Sequence, residues 1–406
     1  MAQVDKFLSF LVKNSGSDLH LVTGSPPIVR IDGKLQKMKL PPLTGEQVKS
    51  LIYEIIPERN RKEYEAINDT DFAYEIAGVA RFRTNVYMDL NGPSMAQRLI
   101  PFDIMTVDDL GISPEIRDLM MLPKGIVLCT GPTGCGKSTT LAALLHYANE
   151  RRHDHVITIE DPVEFVHSNV NCIFSHRQVG LHTESFKRAL RAAFREDPDI
   201  ILVGEMRDLE TTALAITAAE TGHLVLATVH TTTASSTVDR VIDQFPPDRQ
   251  AQIRVMLSST LKAVITQALC RRKVKGRIAA FEILVVHSAV QNLIREKKTY
   301  QLPSTIQTGR KYGMCTMNES LMQLVEDGFI DLEESFSKSV DKQDMNDRVN
   351  NYLLALVQQG QIAPVEAVKQ SYFRPNMIEL LRAHGHGKSL RDVDLAHLDL
   401  ADEQII

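Results

Sequence analysis

The stretch "GIVLCTGPTGCGKSTTLAALLHYANE", residues 125–150, decides the fold of this chain. It joins an apolar run, a glycine-rich loop and a segment with helical spacing. Its centre, "GPTGCGKS" from Gly131 to Ser138, matches the pattern GxxxxGK[ST] and lies between a predicted strand and a predicted helix. The glycines let successive backbone N–H groups turn inward around phosphate oxygens, and the following helix adds its positive N-terminal end. The stretch therefore predicts a phosphate-binding loop in an α/β domain.

This loop supplies most of the predicted nucleotide-binding residues. We expect Lys137 to span the β- and γ-phosphates and the Ser138 hydroxyl to complete a magnesium shell. A glycine-rich turn with an unrelated lysine is the alternative, and the flanking strand and helix disfavour it. The binding residues predicted in the loop are Gly131, Pro132, Thr133, Gly134, Cys135, Gly136, Lys137, Ser138 and Thr139.

From residue 125 onward, short apolar strands alternate with helices. The predicted strands after the first are "HVITIEDP", "DIILVGE" and "HLVLATVHT". Continuous apolar strands separated by helices indicate a parallel sheet that is covered on both faces. We assign residues 125–331 to this domain.

Residues 1–100 predict a small separate α/β domain. "PIVRIDGKL" indicates two strands turned at Asp32-Gly33, and "TGEQVKSLIYEII" indicates a helix capped by Thr44 with Gln47 three residues later. "DTDFAYEIAGVARFRTNVYMDLNG" predicts two or three antiparallel strands. Residues 101–124, with their proline and glycine punctuation, are predicted to be an interdomain linker.

Residues 332–406 predict a helical region that contains a duplication. "LMQLVEDGFIDLEESFSKSVDKQDM" from Leu321 aligns with "LLALVQQGQIAPVEAVKQSYFRPNM" from Leu353. In both copies a glycine ends one helix and a second helix follows, which describes a helical hairpin. Chance similarity between two amphipathic helix pairs is the alternative.

Acidic residues follow two of the predicted strands near the phosphate loop. Ligands collect beyond the carboxyl ends of strands in such sheets, so these acids point to one site. Hydrolysis needs one acid to hold magnesium through water and another to orient the attacking water. Helix N-caps are the alternative, above all for Asp208. The segments supply Glu160, Asp161 and Glu164 in "ITIEDPVEFVH", and Glu205, Arg207 and Asp208 in "LVGEMRD".

A histidine ends the last predicted strand of the sheet. His230 in "ATVHTTTASSTVDR" stands where an imidazole can sense the γ-phosphate, and a structural histidine is the alternative. His223, before the same strand, is predicted to be structural. The residues themselves do not separate Glu164 from Glu160 as the acid that activates water.

The composition excludes several classes of protein. The chain has 406 residues, 43% hydrophobic content and a formal net charge of −5, which gives no reason to expect nucleic acid as a partner. The sequence shows no signal peptide and no apolar run long enough to cross a bilayer. Its five cysteines are far apart in sequence, which disfavours a zinc site or a disulfide framework and favours a reducing cytoplasm.

Four segments together resemble the secretion and pilus ATPases. "GPTGCGKSTTLA", "TIEDPVEFVH", "REDPDIILVGEMRDLET" and "LATVHTTTASSTVDRVI" are similar to that family's Walker A, Asp, Walker B and His boxes. The N-terminal "GSDLHL", "VRIDGKL" and "GVARFRTNVY" resemble its PAS-like domain, and the likeness to its type IV pilus retraction motors spans residues 1–339. The resemblance implies a RecA-like domain that hydrolyses ATP with Mg²⁺.

The resemblance also implies roles for individual residues. Lys137 would contact phosphates, Ser138 magnesium, Glu205 the metal's water shell, and His230 the γ-phosphate. Glu164 would be the catalytic glutamate. The arginines that would reach a neighbouring subunit's phosphates are Arg81, Arg83 and Arg98, and surface charge is their alternative.

The implied assembly is a homohexameric ring that binds ATP between adjacent subunits. It would turn a pilus platform protein at the cytoplasmic face of the inner membrane, return pilin to the membrane and so drive twitching motility, with a paralogous retraction ATPase as a further partner. "SAVQNLIREKK", residues 288–298, departs from the family's "AIRNLIRE"-like segment, so hydrolysis is the safer expectation than retraction.

Three other functions remain open at this point. An accessory retraction motor fits nearly as well. Pilus-assembly and type II secretion ATPases commonly add a long N-terminal region and a four-cysteine zinc motif, and this sequence shows neither. A nucleotide-dependent scaffold without hydrolysis would require the acids to be structural.

Overall fold

The structure, a computed structural model, describes residues 2–31, 33–100 and 104–390. Its N-terminal part is an antiparallel sheet with the strand order β3-β2-β1-β6-β5-β4. The strands are β1 Gly16–Val22, β2 Ile28–Ile31, β3 Lys34–Lys37, β4 Asp69–Ile76, β5 Ala80–Asp89 and β6 Gly92–Ile100. The helices are α1 Val4–Lys13, α2 Gly45–Ile55 and α3 Glu58–Ile67.

Local sequence signals explain two features of this sheet domain. The Thr44 hydroxyl accepts a hydrogen bond from the Gln47 N–H (3.2 Å), and the Gln47 side chain accepts one from the Thr44 N–H (2.8 Å). This capping box starts α2 where the sequence predicts. β2 and β3 pair antiparallel around Gly33, whose φ of +79° suits a tight turn, while Asp32 lies outside the described residues.

The second part is a seven-stranded sheet with the order β13-β12-β7-β11-β10-β8-β9. Six of these strands, β12, β7, β11, β10, β8 and β9, run parallel to one another, and β13 pairs antiparallel with β12 at one edge. The predicted parallel sheet is confirmed, although the sequence analysis missed β9, β12 and β13. The strands are β7 Gly125–Thr130, β8 His155–Glu160, β9 Ile173–Gln178, β10 Ile200–Val203, β11 Leu224–Val229, β12 Leu261–Arg271 and β13 Arg277–Val285.

Helices cover both faces of this sheet. Alternate residues of β7 enter two different cores, with Leu128 on one face and Val127 on the other. The helices are α4 Pro114–Asp118, α5 Lys137–Asn149, α6 Phe186–Ala193, α7 Leu209–Glu220, α8 Ala234–Asp243, α9 Pro247–Thr260, α10 Ser288–Arg295 and α11 Leu302–Thr308. Short 3₁₀ turns span Leu119–Met121, Thr299–Gln301, Arg310–Tyr312 and His386–Leu390.

The described part of the expected linker packs into the core on the sheet face that carries Val127. Val107, Ile112 and Met120 are buried there beside residues of β7 and α5. Residues 104–121 are therefore part of the second domain's packing, and residues 101–103 lie outside the described part of the chain.

Five further helices form a separate apolar cluster against β12 and β13. Cys270 and Ala280 of these strands are buried among them. The helices are α12 Met317–Glu326, α13 Leu332–Lys338, α14 Lys342–Gln358, α15 Pro364–Gln370 and α16 Arg374–Ala383. The helical unit thus begins at α12, before residue 332, and residues 391–406 of the predicted region lie outside the described residues.

The two copies of the proposed duplication have the same local geometry. Gly328 after α12 and Gly360 after α14 have φ values of +76° and +72°. The Phe329 N–H donates to the Leu324 carbonyl and the Gln361 N–H to the Leu356 carbonyl, both at 2.9 Å. This is the hydrogen bond of a Schellman C-cap, so each helix ends in the same way before the next one starts.

Two further features concern the helices and the cysteines. Among the residues that the structure describes, no helix combines the length and hydropathy needed to cross a membrane. All five cysteines are free thiols, as their spacing predicts.

Candidate nucleotide site

The phosphate loop turns sharply because its glycines adopt backbone angles that other residues avoid. β7 is buried along its whole length and ends at Thr130. Gly131, Gly134 and Gly136 then have φ values of +141°, +79° and +94°. A Cβ on Gly131 would lie 2.4 Å from the Gln267 carbonyl oxygen, so this position has no room for a side chain. The loop ends at α5, whose first residue is Lys137.

Lys137 lies inside the loop. Its ammonium donates hydrogen bonds to the carbonyl oxygens of Gly131 (2.8 Å) and Pro132 (3.1 Å), and its side chain is buried. The same nitrogen lies 3.5 Å from Nδ1 of His230. A buried ammonium with weak carbonyl partners is suited to bind phosphate oxygens, which are stronger acceptors because they are charged.

His230 connects this lysine to Glu205. Nε2 of His230 lies 3.0 Å from Oε1 of Glu205. An ammonium can only donate, so Nδ1 faces Lys137 as an acceptor and Nε2 carries the hydrogen that is donated to Glu205. Arg207 also binds Glu205, at 2.6 Å, but its own side chain is 78% exposed. The structure thus joins three predicted site residues into one line, Lys137–His230–Glu205.

Crowding disfavours a side chain at Gly204, the residue that follows β10. A Cβ on Gly204 would lie 3.1 Å from the Ile159 carbonyl oxygen and 3.2 Å from Cα of Glu160, both on the neighbouring strand β8. The backbone of β8 would have to shift by a few tenths of an ångström to accept a side chain there. The carboxylate appears one residue later, at Glu205, where its side chain is 18% exposed.

The two glutamates at the end of β8 and just after it have different contacts. Glu160, the last residue of β8, is half-buried, and its desolvation raises the pKa of its carboxyl to about 7, while hydrogen bonds from Thr158 and from the Glu164 N–H act in the opposite direction. Glu164 is partly exposed, and its N–H donates to Oε2 of Glu160 at 3.3 Å. Glu160 thus lies behind Glu164 and holds its backbone.

A pocket opens at the carboxyl ends of these strands. Residues of the phosphate loop helix, of β8 and of β10 and β11 meet there, as expected for a ligand site in a parallel sheet. Its lining includes Ser138, Glu160, Phe165, His167, Gly204 and Thr228. Burial lowers the pKa of His167 to about 3, so this ring is neutral, and it stacks on Phe174 at 4.5 Å between centroids.

Two nearby residues have structural roles. The Asp208 carboxylate accepts hydrogen bonds from the N–H and hydroxyl of Thr211, each at 2.8 Å, and so caps α7. His223 Nδ1 lies 2.9 Å from the Ala218 carbonyl oxygen at the end of the same helix. The cap agrees with the alternative given above for Asp208, and the contact of His223 agrees with the structural role predicted for it.

A family model described as "Type II/IV secretion system protein" matches residues 1–337. The chain belongs to this secretion-system family. The match includes the phosphate loop, both acidic segments and His230. It ends before α14, so α14, α15 and α16 lie beyond the matched part of the chain.

Curated relatives within the family cover nearly the same range. The type IV pilus retraction ATPase PilT of Pseudomonas aeruginosa is 48% identical over 83% of this chain and 98% of its own. A twitching motility protein of Neisseria gonorrhoeae is 44% identical over 79% of this chain and 86% of its own. The type IV pilus ATPase PilU of P. aeruginosa is 35% identical over 84% and 90% of the two chains.

A solved structure gives the same result for the fold. The crystal structure of the pilus retraction motor PilT with bound ADP is 42% identical, has a TM-score of 0.77, and covers 84% of this chain and 97% of that one. The predicted fold, an N-terminal domain joined to a RecA-like ATPase domain, is thereby confirmed.

The three predicted arginines lie in the N-terminal domain of this secretion-system protein, each in a different setting. Arg98 donates from Nε to Asp18 at 2.9 Å, and Arg83 lies 4.0 Å from Asp71. Nε of Arg81 is buried without a hydrogen-bond partner in the described structure. The charge of Arg81 acts against the rise in the pKa of Glu160 in the same subunit, and it is the smallest of the causes.

Sequence reasoning missed two polar residues in the strand pair β12–β13. The Glu282 carboxylate accepts the Ala234 N–H at 2.6 Å, which fixes the start of α8 just after the His230 segment. Gln267 hydrogen-bonds both the phosphate loop and α5. Each interrupts an otherwise apolar run, "RIAAFEILV" and "LKAVITQALC", and that interruption is the signal that identifies them.

The available donors fit a nucleotide-bound magnesium ion better than a site built from protein ligands alone. The described residues contain no cluster of three or more His, Cys, Asp or Glu side chains that could hold a metal. Magnesium usually keeps several waters and binds through one or two protein oxygens plus substrate phosphates. The Ser138 hydroxyl and the Glu205 carboxylate are donors of this kind.

Proposed function

We propose that this chain hydrolyses ATP as the subunit of a ring-shaped motor that powers type IV pilus retraction and twitching motility. The observation that carries the proposal is the line Lys137–His230–Glu205 at the phosphate loop. Glu164 donates its N–H to Glu160, which lines the pocket together with Ser138. The similarity to PilT, at 48% identity over nearly all of that protein, supports retraction as the use of the hydrolysis. The lower identity to PilU, 35%, favours the main motor over an accessory one.

The residues divide the work of hydrolysis. Lys137 exchanges its two carbonyl partners for the β- and γ-phosphates, and the backbone N–H groups of residues 133–138 bind the same oxygens. The Ser138 hydroxyl would bind Mg²⁺, and Glu205, oriented by His230, would hold the metal's water shell. The bound metal would neutralise charge that develops on the phosphates. Glu164, held by Glu160 through its backbone, orients the attacking water.

The assembly is proposed from the same family relationship. A homohexamer would bind ATP between the N-terminal domain of one subunit and the ATPase domain of the next. Arg81, Arg83 and Arg98 are the candidates to reach across that boundary, and Arg98 would first have to leave Asp18. The ring would act on a pilus platform protein at the cytoplasmic face of the inner membrane, with a paralogous retraction ATPase as a second partner.

Steady-state ATPase assays on Glu164→Gln and Glu205→Ala test the roles of the two acids. We expect both variants to lose about 100-fold or more in kcat, because each removes a group that acts on the reacting phosphate or its water. Glu184→Gln, an exposed acid paired with Arg188 on the surface, is the matched control and should keep the rate of the unmodified chain. Near-unmodified rates in both active-site variants would overturn this assignment.

A cellular experiment tests retraction separately. A deletion strain should lose twitching motility and accumulate surface pili, and expression of the unmodified chain, but not of Lys137→Ala, should restore motility. Normal motility and piliation in a deletion strain that also lacks any paralogue would contradict the proposed use of the motor. A chain that binds nucleotide without turnover would instead support the scaffold alternative.

A further inference from the structure

Gln267 is a buried amide on the strand next to the phosphate loop. β12 runs parallel to β7, and their last paired residues are Thr266 and Thr130. Gln267 follows Thr266 just as Gly131, the first loop residue, follows Thr130. Its side chain is 3% exposed. On the other edge of β12, Gln267 is paired with Phe281 of β13, so its backbone is held on that side.

Both ends of this amide are hydrogen-bonded to the nucleotide site. Nε2 donates to the carbonyl oxygen of Cys135 at 2.7 Å. Oε1 accepts from the Thr140 hydroxyl at 2.8 Å. Because a carbonyl can only accept, the nitrogen must face Cys135, and this fixes the orientation of the amide. Gln267 therefore joins the middle of the loop to the first turn of α5.

The first of these bonds also orients a phosphate-binding group. The peptide between Cys135 and Gly136 is planar and trans, so its C=O and N–H point in opposite directions. With the Cys135 carbonyl directed at Gln267, the Gly136 N–H is directed away from Gln267. Rotation of this peptide would remove one donor from the phosphate cradle.

Gln267 packs closely against two of the loop's glycines. A Cβ on Gly136 would lie 2.9 Å from Nε2 of Gln267, and a Cβ on Gly131 would lie 2.4 Å from the backbone carbonyl oxygen of Gln267. The backbone contact leaves no room for a side chain at residue 131, and a side chain at residue 136 would displace the amide of Gln267.

We infer that Gln267 is a positioning residue for nucleotide binding: it holds the Cys135–Gly136 peptide and the start of α5 so that the phosphate cradle is formed before the nucleotide arrives. The inference rests on the proposed function, since it takes a nucleoside phosphate as the ligand of the loop. Gln267 acts through the loop backbone and through Thr140, not by contact with the reacting atoms.

Gln267→Leu removes both hydrogen bonds and leaves a side chain of similar size. The loss of a buried hydrogen bond corresponds to about a tenfold weaker equilibrium, so we expect the Kd for a fluorescent ADP to rise by about tenfold. KM for ATP should rise by a similar factor while kcat changes by less than about threefold, because the cradle binds substrate and transition state alike. Gln267→Glu should be worse, since it places a second oxygen against the Cys135 carbonyl.

The matched control is Thr266→Val on the same strand. Thr266 is equally buried, and its hydroxyl accepts a hydrogen bond from Thr130 at 3.0 Å, which lies in β7 and outside the loop. Thr266→Val should lower the thermal midpoint and leave the Kd for ADP unchanged. If it weakens ADP binding as much as Gln267→Leu does, Gln267 has only a structural role and the inference is overturned.

A second pair of variants decides the question if Gln267→Leu does not fold. Thr140→Val removes the hydroxyl that donates to Oε1, whereas Thr140→Ser keeps it. We expect weaker ADP binding in the first variant and not in the second, and equal binding in both would overturn the inference. ADP binding is measured without turnover, so an unmodified chain that binds ADP and hydrolyses nothing would refute the proposed function and leave this test intact.

Discussion

Replacing His230 by alanine removes the imidazole that joins Lys137 to Glu205. The lost contact to Glu205 is a hydrogen bond to a charged group, which is worth about 1.5–3 kcal/mol. Arg207 still binds Glu205, but exposed ion pairs contribute little, so it holds the carboxylate less firmly. This hydrogen bond holds Glu205 where it would bind the metal's water shell, so its loss should lower kcat by about 10- to 100-fold.

Nucleotide affinity should respond much less to the same change. Lys137 keeps its loop partners Gly131 and Pro132 and remains free to exchange them for phosphates. We therefore expect the Kd for a fluorescent ADP to stay within about threefold of the unmodified chain. The assay pairs steady-state phosphate release with an ADP titration on the same preparation.

His223→Ala is the matched control because His223 stands at the opposite end of β11. It lies 2.9 Å from the Ala218 carbonyl oxygen and touches none of the site residues described above. This variant should lose thermal stability and keep kcat. An unchanged kcat in His230→Ala, or an equal loss of kcat in both variants, would refute the reasoning.

Two further predictions concern stability. The pKa of Glu160 is about 7 in the folded chain, against an ordinary value of 4.5. Between pH 4.5 and pH 7 the unfolded chain therefore loses a proton that the folded chain keeps. The free energy of unfolding falls as the pH rises through this range. Glu160→Gln lacks this titrating group. Its free energy of unfolding, measured by urea denaturation, should therefore rise relative to that of the unmodified chain by up to about 3 kcal/mol between pH 4.5 and pH 7. A difference that does not change with pH would contradict the raised pKa of Glu160. Leu353→Ala, at a fully buried position of α14, should lower the free energy of unfolding by about 2–5 kcal/mol in the same assay. Gln359→Ala is the control, because Gln359 is exposed, and it should not lower this free energy. Equal effects of the two substitutions would contradict the packing of the second hairpin.

Local patterns were sufficient to predict the elements around the phosphate loop. The loop, its strand and its helix depend on neighbouring residues, and so do the capping box at Thr44 and the cap at Asp208. The start of β12 had no such signal. α9 ends at Thr260 and β12 begins at Leu261, with no glycine or proline between them, so the apolar run reads as a continuous helix.

The remaining site features depend on contacts between distant segments. The raised pKa of Glu160 and the hydrogen bond that it accepts from the Glu164 N–H depend on how the segment after β8 folds back on the end of that strand. The pair Asp18–Arg98 exists because β1 and β6 place these residues opposite each other. No spacing in the sequence fixes such a register, and so the arginines could be named as candidates but not placed.

Mg²⁺-dependent phosphate release from ATP by the purified chain, compared with that by Lys137→Ala, tests the central claim most directly. We predict turnover that requires Mg²⁺ in the unmodified chain and a loss of about 100-fold or more in Lys137→Ala, because the variant lacks the cation that the loop directs at the β- and γ-phosphates. Turnover that persists in Lys137→Ala, or no turnover in an unmodified chain that binds ADP, would contradict the assignment of this site as an ATPase centre.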